Sequence, residues 1–290
     1  MLARPRSGSG TVPRVEIASR TAQMVAAFRG RATGRTSPIC CDPWALTLAG
    51  DRGAIDADRY ERAVPAIELW IALRTARIDE ATRRAITMGV TQVVILGAGF
   101  DTRAARLAHP GVRWFEVDAP PSQAEKLRRL ATLEGYPTDA ATYVPCDFES
   151  ESFFEKLERA GFDAALPAIF VWEGVSYYLT EAAVRATLSA LASRAHPDSV
   201  VVFDFFGAEF AAGATKDDVG SAAREQVADM GEPLRFGTND VLPFLVENGF
   251  RKVHVESFDE IALRYTGTYE RSRGFRFQAL AFTSVARSLP

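Results

Sequence analysis

The chain has 290 residues, 47% of them hydrophobic and 24% charged, and 34 Lys and Arg against 37 Asp and Glu leave a formal charge of −3. That near-balance argues against a chain built for nucleic acid, and no run approaches the ~20 apolar residues that span a bilayer. Neither partner is expected.

Residues 1–12 lack the apolar middle of a secretory signal and read as a disordered tail. Residues 13–88 then have a helical pattern, with Ala18 to Arg29 free of breakers and Val64 to Met88 carrying Ile67, Ile71, Ile78 and Ile86 between charges. Pro38, Pro43 and Gly50 punctuate it.

From Gly89 onward short apolar runs alternate with amphipathic segments, which is the signature of a parallel sheet covered on both faces. Strands are expected at Gln92–Leu96, Val112–Val117, Thr142–Cys146, Ala168–Trp172, Val200–Phe205, Val253–Phe258 and Phe275–Ser284. Helices fit Thr102–Ala108, Ser122–Glu134, Ser152–Ala160, Glu181–Arg194 and Asn239–Asn248. The expected fold is α/β, a doubly wound, mostly parallel, seven-stranded Rossmann-like sheet over residues 89–290. Its last strands join without further crossover, and the N-terminal helices form a cap. The segment Gly207–Phe236, with Gly207, Gly213, Gly220 and Gly231, reads as a mobile cap insertion over the ligand crevice, with a plain surface loop as the alternative.

The strongest local motif is Val93-Val94-Ile95-Leu96-Gly97-Ala98-Gly99-Phe100-Asp101-Thr102-Arg103, an apolar strand running into a Gly-x-Gly turn. Gly97 and Gly99 let backbone approach a ligand closely, though a plain strand-to-helix turn has the same look. Asp118 ends the next strand, where an ionised carboxylate can accept from both ribose hydroxyls; a solvated strand-end acid or a helix cap is the alternative. A dinucleotide enzyme usually carries a third glycine where this chain has Thr102, and Asp101 would repel a pyrophosphate. A cationic cofactor without phosphate, S-adenosylmethionine, tolerates that acid better. Asp147 can accept from an adenine amino group, or can equally start the turn into Glu149-Ser150-Glu151, and Phe148 offers a stacking face. Glu173, ending an apolar strand, needs a cationic ligand or a protein arginine beside it.

Together these segments resemble the leucine carboxyl methyltransferase family, within it the bacterial S-adenosylmethionine-dependent O-methyltransferases, some from polyketide clusters. The resemblance rests on Ser19-Arg20-Thr21-Ala22, Asp42-Pro43-Trp44-Ala45, Leu73-Arg74-Thr75-Ala76-Arg77-Ile78-Asp79, Leu96 to Arg103, Phe115-Glu116-Val117-Asp118-Ala119-Pro120 with Lys126, Cys146-Asp147-Phe148 and Glu173 to Leu179. It implies that Arg74 meets the cofactor carboxylate, Gly97 and Gly99 underlie its methionine part, and Asp118 holds the ribose. Asp147 and Phe148 would contact adenine, and Glu173 would face the amino group. Ala119 and Phe148 depart from residues common in the subgroup, which changes the fit around adenine.

Tyr177, Tyr178 and Asp204 are the candidates to line the acceptor pocket, and no catalytic base is assigned to His109, His196 or His254. No metal-spaced set of His or carboxylates is present. Cys40, Cys41 and Cys146 have neither CxxC spacing nor an even count, so the cytoplasm is the expected compartment. The expected activity is methyl transfer to a carboxylate or hydroxyl of a small molecule of secondary metabolism, with S-adenosylhomocysteine as product. The alternatives are an NAD(P)-dependent oxidoreductase, disfavoured by the lack of a Tyr-x-x-x-Lys pair, and a cofactor-binding protein without transfer.

Overall fold

The computed structural model describes residues 18–214, 218–270 and 275–285. The expected tail at 1–12 lies outside the described residues. Three helices come first, α1 (Arg20–Thr33), α2 (Ala45–Ala63) and α3 (Ile67–Thr87), before the sheet begins. Ser19 caps α1, accepting from the Ala22 amide at 3.0 Å, while its own N–H donates to Ser122 Oγ at 3.1 Å and so ties the helix start to the sheet domain. Gly50 breaks the helical backbone inside α2, as its place in the sequence suggests.

The sheet has the order β3-β2-β1-β4-β5-β7-β6. Strands β1 (Gln92–Leu96), β2 (Arg113–Asp118), β3 (Thr142–Pro145), β4 (Ala168–Trp172) and β5 (Val200–Phe206) are parallel to their neighbours. β7 (Gln278–Ser284) runs antiparallel between β5 and β6 (Lys252–Ser257). β1, β4 and β5 are buried at every residue, which accounts for their unbroken apolar runs. The strand order reverses between β1 and β4, so the carboxyl ends of these two strands form the crevice where such sheets hold ligands.

Alternate strand residues serve two different layers. Val94, Leu96, Phe170, Trp172, Val201 and Phe203 pack against α6 (Phe153–Arg159), α7 (Glu181–Arg194) and α10 (Val241–Glu247). Val93, Ile95, Ile169, Val171, Val202 and Leu280 face α1 to α3 and α11 (Phe258–Thr266). The short α4 (Arg103–Arg106) follows β1, and α5 (Pro120–Leu130) follows β2, starting on Pro120 and Pro121, which suit the first helical turn.

One expectation is corrected. β6 does not run on to Phe258 and join β7 directly: the chain turns into α11, because Ser257 and Glu260 form a capping box and Phe258, Ile261 and Ala262 make a buried stripe. The segment Gly207–Phe236 is largely helical among the described residues, with α8 (Ala208–Ala212) and α9 (Asp218–Asp229); Gly213 ends α8 and Gly220 is buried inside α9.

Candidate functional site

The glycine turn after β1 is built for close approach. Gly97 and Gly99 have φ of 68° and 47°. A Cβ on Gly97 would come within 2.3 Å of Val175 Cγ2, and one on Gly99 within 2.9 Å of the Ala22 Cβ. The first packs the turn against the loop after β4, and the second brings α1 down onto it. Asp118 locks the turn from the neighbouring strand: Oδ2 accepts from the Gly99 amide at 2.6 Å and Oδ1 from the Ala119 amide at 2.7 Å. Burial pushes the Asp118 carboxyl up to about 6, partly offset by these two amides. Each carboxylate oxygen keeps a second lone pair for a ligand hydroxyl.

Buried cations hold the turn's carbonyls. Arg29 on α1 donates to the Phe100 carbonyl at 2.5 Å and to Asp42 at 3.0 Å. Lys126 on α5 donates to the Asp101 carbonyl at 2.5 Å and pairs with Glu116. Burial pushes the Glu116 carboxyl up to about 7 despite that ammonium.

Glu173, at the end of β4, has protein arginines as its partners. Arg74 Nε donates to Oε1 at 2.7 Å and Arg103 Nη1 reaches Oε2 at 2.6 Å. Burial alone would raise Glu173, but Arg103 and Arg74 bring it below the ordinary carboxylate range. Arg74 also donates through Nη1 to Asp204 at 2.7 Å, so two of its three nitrogens are committed inside the protein. Arg103 pairs with Asp79 at 2.6 Å and with Asp101; burial opposes ionisation of Asp101, but Arg103 takes it down to about 2. Asp101 is therefore a neutralised acid rather than the free charge its position after the glycines suggests.

This cluster sets Arg29, Arg74, Arg103 and Arg106 against Asp42, Asp79, Asp101, Glu173 and Asp204, one carboxylate in excess. Arg103 Nη2 is buried with no hydrogen-bond partner among the described residues. A ligand with a carboxylate for Arg103 and cationic groups for the surplus negative charge fits these residues. The zwitterionic end and the sulfonium of S-adenosylmethionine are such groups.

Asp147 and Phe148 follow β3. Asp147 is half-buried and serves its own turn, accepting from the Glu149 amide at 3.0 Å and the Ser150 hydroxyl at 2.9 Å; Phe148 packs against Phe153 at 5.9 Å between ring centres. The turn reading of Asp147 is thus the one the chain's own contacts realise, and adenine contacts by these two residues stay a proposal.

Beside Arg74 lies a small, mostly apolar cavity that is partly open to solvent. Met24, Val25 and Phe28 of α1, Trp70 and Arg74 of α3, Tyr177 and Tyr178, Phe206, Phe210, Phe275 and Phe277 line most of it. Tyr177 and Tyr178 are on its wall. Asp204 is not: it is fully buried behind that wall, where Arg74, the Gly174 amide at 2.7 Å and Gln278 Nε2 at 2.9 Å satisfy it. The reason is that β5 turns its Asp204 side chain into the interior, where a carboxylate persists only with donors around it. Gln278 and Trp70, not singled out in the sequence, also line the cavity.

Glu232, just after α9, accepts from the Arg20 amide at 3.1 Å and from Thr21. An acid at the exposed amides of a helix start is favourable, and here it pins the α8–α9 segment to α1 across the site. None of His109, His196 and His254 lines the cavity; they contact the Pro110 carbonyl, Asp198 and Glu256. Among the described residues no group of three His, Cys, Asp or Glu is placed to hold a metal, and no helix is long and apolar enough to cross a membrane.

Residues 22–192 match the family model for leucine carboxyl methyltransferase. A candidate S-adenosyl-L-methionine-dependent methyltransferase of Mycolicibacterium vanbaalenii is 31% identical over 286 residues, covering 93% of this chain and 88% of the relative. A relative of the same description from Frankia alni is 36% identical over 177 residues, 58% of this chain and 62% of that one. Among solved structures, a DUF574 family protein from Streptomyces avermitilis superposes with a TM-score of 0.64 at 16% identity, covering 93% of this chain and 98% of that one. A candidate methyltransferase from Thermobifida fusca gives 0.63 at 15% identity, covering 96% and 99%. At such identities the structures establish a shared fold, and the sequence matches establish kinship: the chain belongs to the leucine carboxyl methyltransferase family.

Proposed function

We propose that the protein is an S-adenosylmethionine-dependent O-methyltransferase acting on a carboxylate or hydroxyl of a small molecule of the kind secondary metabolism makes, and that it works in the cytoplasm. The observation that carries this reading is the juxtaposition of the clamped Gly97–Gly99 turn, Asp118 and the net-negative Glu173 cluster with an apolar cavity that shares Arg74 with that cluster. The cofactor supplies an electrophilic methyl group on a sulfonium, which becomes a neutral thioether when the methyl leaves.

The chain's own residues bind and orient. Asp118, ionised above pH about 6, accepts ribose hydroxyls with the lone pairs left by the Gly99 and Ala119 amides. Glu173 takes the ammonium of the amino-acid end. The carboxylate of that end goes to Arg103, whose Nη2 has no partner among the described residues, in place of Arg74, the arginine the family resemblance points to, because Arg74 is committed to Glu173 and Asp204. Phe148 offers its ring to adenine, and Asp147 its carboxylate. Aromatic walls hold an acceptor so that its oxygen lies within the ~3–3.5 Å that in-line transfer requires. A carboxylate acceptor needs no base at neutral pH, whereas a phenol with an ordinary pKa near ~10 must lose a proton during transfer.

Calorimetry with S-adenosylmethionine, S-adenosylhomocysteine and NADH tests the reading. Micromolar binding of the first two, lost in Asp118→Ala, together with methyl transfer to some member of a panel of small acids and phenols, is expected. A folded wild type that binds NADH and neither sulfur compound would overturn it.

A further inference from the structure

After α9 the chain runs through Gly231-Glu232-Pro233-Leu234-Arg235-Phe236 as a short strap with three ties, each to a different part of the site. The Glu232 carboxylate accepts from the Arg20 amide at 3.1 Å and from the Thr21 hydroxyl, at the start of the helix whose Ala22 lies against the Gly99 turn. The Arg235 and Phe236 amides both donate to the Tyr177 carbonyl, at 2.7 and 3.3 Å, in the loop after β4. The Arg235 guanidinium pairs with Glu149 at 3.1 Å, in the turn after β3 that carries Asp147 and Phe148. Glu149 in addition accepts from the Thr180 amide at 2.9 Å and the Thr180 hydroxyl at 2.8 Å, which fixes it in place for the strap.

The strap lies where the crevice and the cavity meet. Leu234 lines the cavity with Tyr177 and Tyr178, and, after burial itself, the nearby Glu232 charge is among the causes that raise the Asp118 carboxyl. Its two ends differ. Gly231 has φ of 89°, and a Cβ there would meet nothing within 4 Å, so the chain can pivot about it. At the other end Phe236 is buried, the Thr238 amide donates to the Phe206 carbonyl at 2.8 Å, and a Cβ on Gly237 would come within 2.8 Å of the Gly207 carbonyl oxygen. The strap is hinged at one end and anchored at the other. Its ties are all polar, so each can be exchanged for water at small net cost, and the part-exposed Arg235–Glu149 pair adds little. A segment held in this way opens locally well before the fold does.

We infer that residues 231–236 are a latch over the crevice, with Glu232 as its bolt: the three ties open together to let the ligand in and close over it once it is seated. With all three made, α1 is joined to the loops after β3 and β4, the segments that carry Asp147, Phe148 and Glu173 and that face the Gly99 turn under Ala22. The latch deepens the methyltransferase reading and rests on it for the identity of the ligand. Glu232 acts through α1 and is a positioning residue, so its removal changes how fast the ligand comes and goes more than how tightly it is held.

The test follows S-adenosylhomocysteine binding to the full-length protein by stopped-flow fluorescence, beside amide hydrogen exchange of the ligand-free protein. Glu232→Ala is expected to raise the association and dissociation rates alike, each by about tenfold, while the dissociation constant moves by less than about threefold. Glu232→Gln, whose amide oxygen can still accept from the Arg20 amide, restores most of the wild-type rates, and Arg235→Ala, at an exposed position, raises both severalfold. In the free protein the Arg20, Arg235 and Phe236 amides share one opening free energy, which Glu232→Ala lowers. A change confined to the dissociation rate would make Glu232 an ordinary contact and overturn the inference, as would unchanged rates in every variant or unrelated opening free energies at the three amides. Should Glu232→Ala fail to fold, Arg235→Ala and the exchange of the wild type decide in its place. A folded wild type that binds no S-adenosylhomocysteine strikes the cofactor reading, and the shared opening of the three amides then decides the latch by itself.

Discussion

The two faces of the sheet draw on the same strands yet are finished differently. On the face covered by α6, α7 and α10, Phe154, Leu157, Leu188, Leu191 and Leu245 are at most 1% exposed and meet Val94, Phe170, Trp172 and Phe203. On the face covered by α1 to α3 and α8 to α9, the aromatic side chains instead surround a cavity, and buried charge runs along its border from Arg74 to Arg106. The closed face maximises burial, at roughly 25 cal/mol for each Å² of apolar surface removed from water. The open face forgoes part of that gain for a space that holds a ligand, and the crevice between β1 and β4 lies where the two meet.

The comparison breaks most readily at Arg74. Arg74→Ala leaves Glu173 and Asp204 buried with one fewer partner each, and removing one partner of such a pair costs about 3–5 kcal/mol. Urea unfolding is expected to show a loss of that size; a loss below about 1 kcal/mol would mean that water reaches these carboxylates and that the charged border is not a dry seam.

A paired truncation sharpens the contrast between the faces. Leu188→Ala on the closed face opens a sealed void, with an expected cost in the ~2–5 kcal/mol range. Phe210→Ala enlarges a cavity that already exists and that solvent can enter, so its cost should be less than half of that despite the larger side chain. Only the second should change the binding of aromatic ligands. Equal costs with equal effects on binding would erase the distinction.

The smallest effect expected is a pH dependence at the crevice. Burial raises the Asp118 carboxyl to about 6, so on protonation below that value it ceases to accept from two ribose hydroxyls at once. Cofactor affinity should then be flat above pH 7 and weaken by about tenfold per pH unit below 6, because only the ionised form binds. Linkage gives the opposite sign for the free protein: a carboxyl whose folded pKa is raised above 3.8 is destabilising in its charged form, so Asp118 costs stability as pH rises from about 4 to 6. Asp118→Asn should flatten both profiles, with affinity lowered at every pH. An unchanged slope in the Asn variant would assign the titration elsewhere.

Much of this was legible in the residues. The runs at β1, β4 and β5 are apolar throughout because both faces are covered, and the Gly97–Gly99 turn and Asp118 announce a nucleoside-type crevice through local spacing alone. α11 had a readable signal as well, the capping box of Ser257 and Glu260, obscured because Val253 to Phe258 also reads as a strand. The partners of Glu173 were open to two readings. Which one holds depends on α3 and α4 arriving from residues 99 and 70 positions away in the chain.

The sequence by itself determined the sheet, the crevice and the family, because strand burial, turn glycines and strand-end acids are encoded within a few residues of one another. The tertiary structure alone decided that Asp204 is a buried anchor behind the cavity wall, that Asp101 is neutralised by Arg103, and that Trp70 and Gln278 both line the cavity. Such facts depend on which long-range partners desolvate a polar group and which satisfy it, and that balance is set only when distant segments pack together.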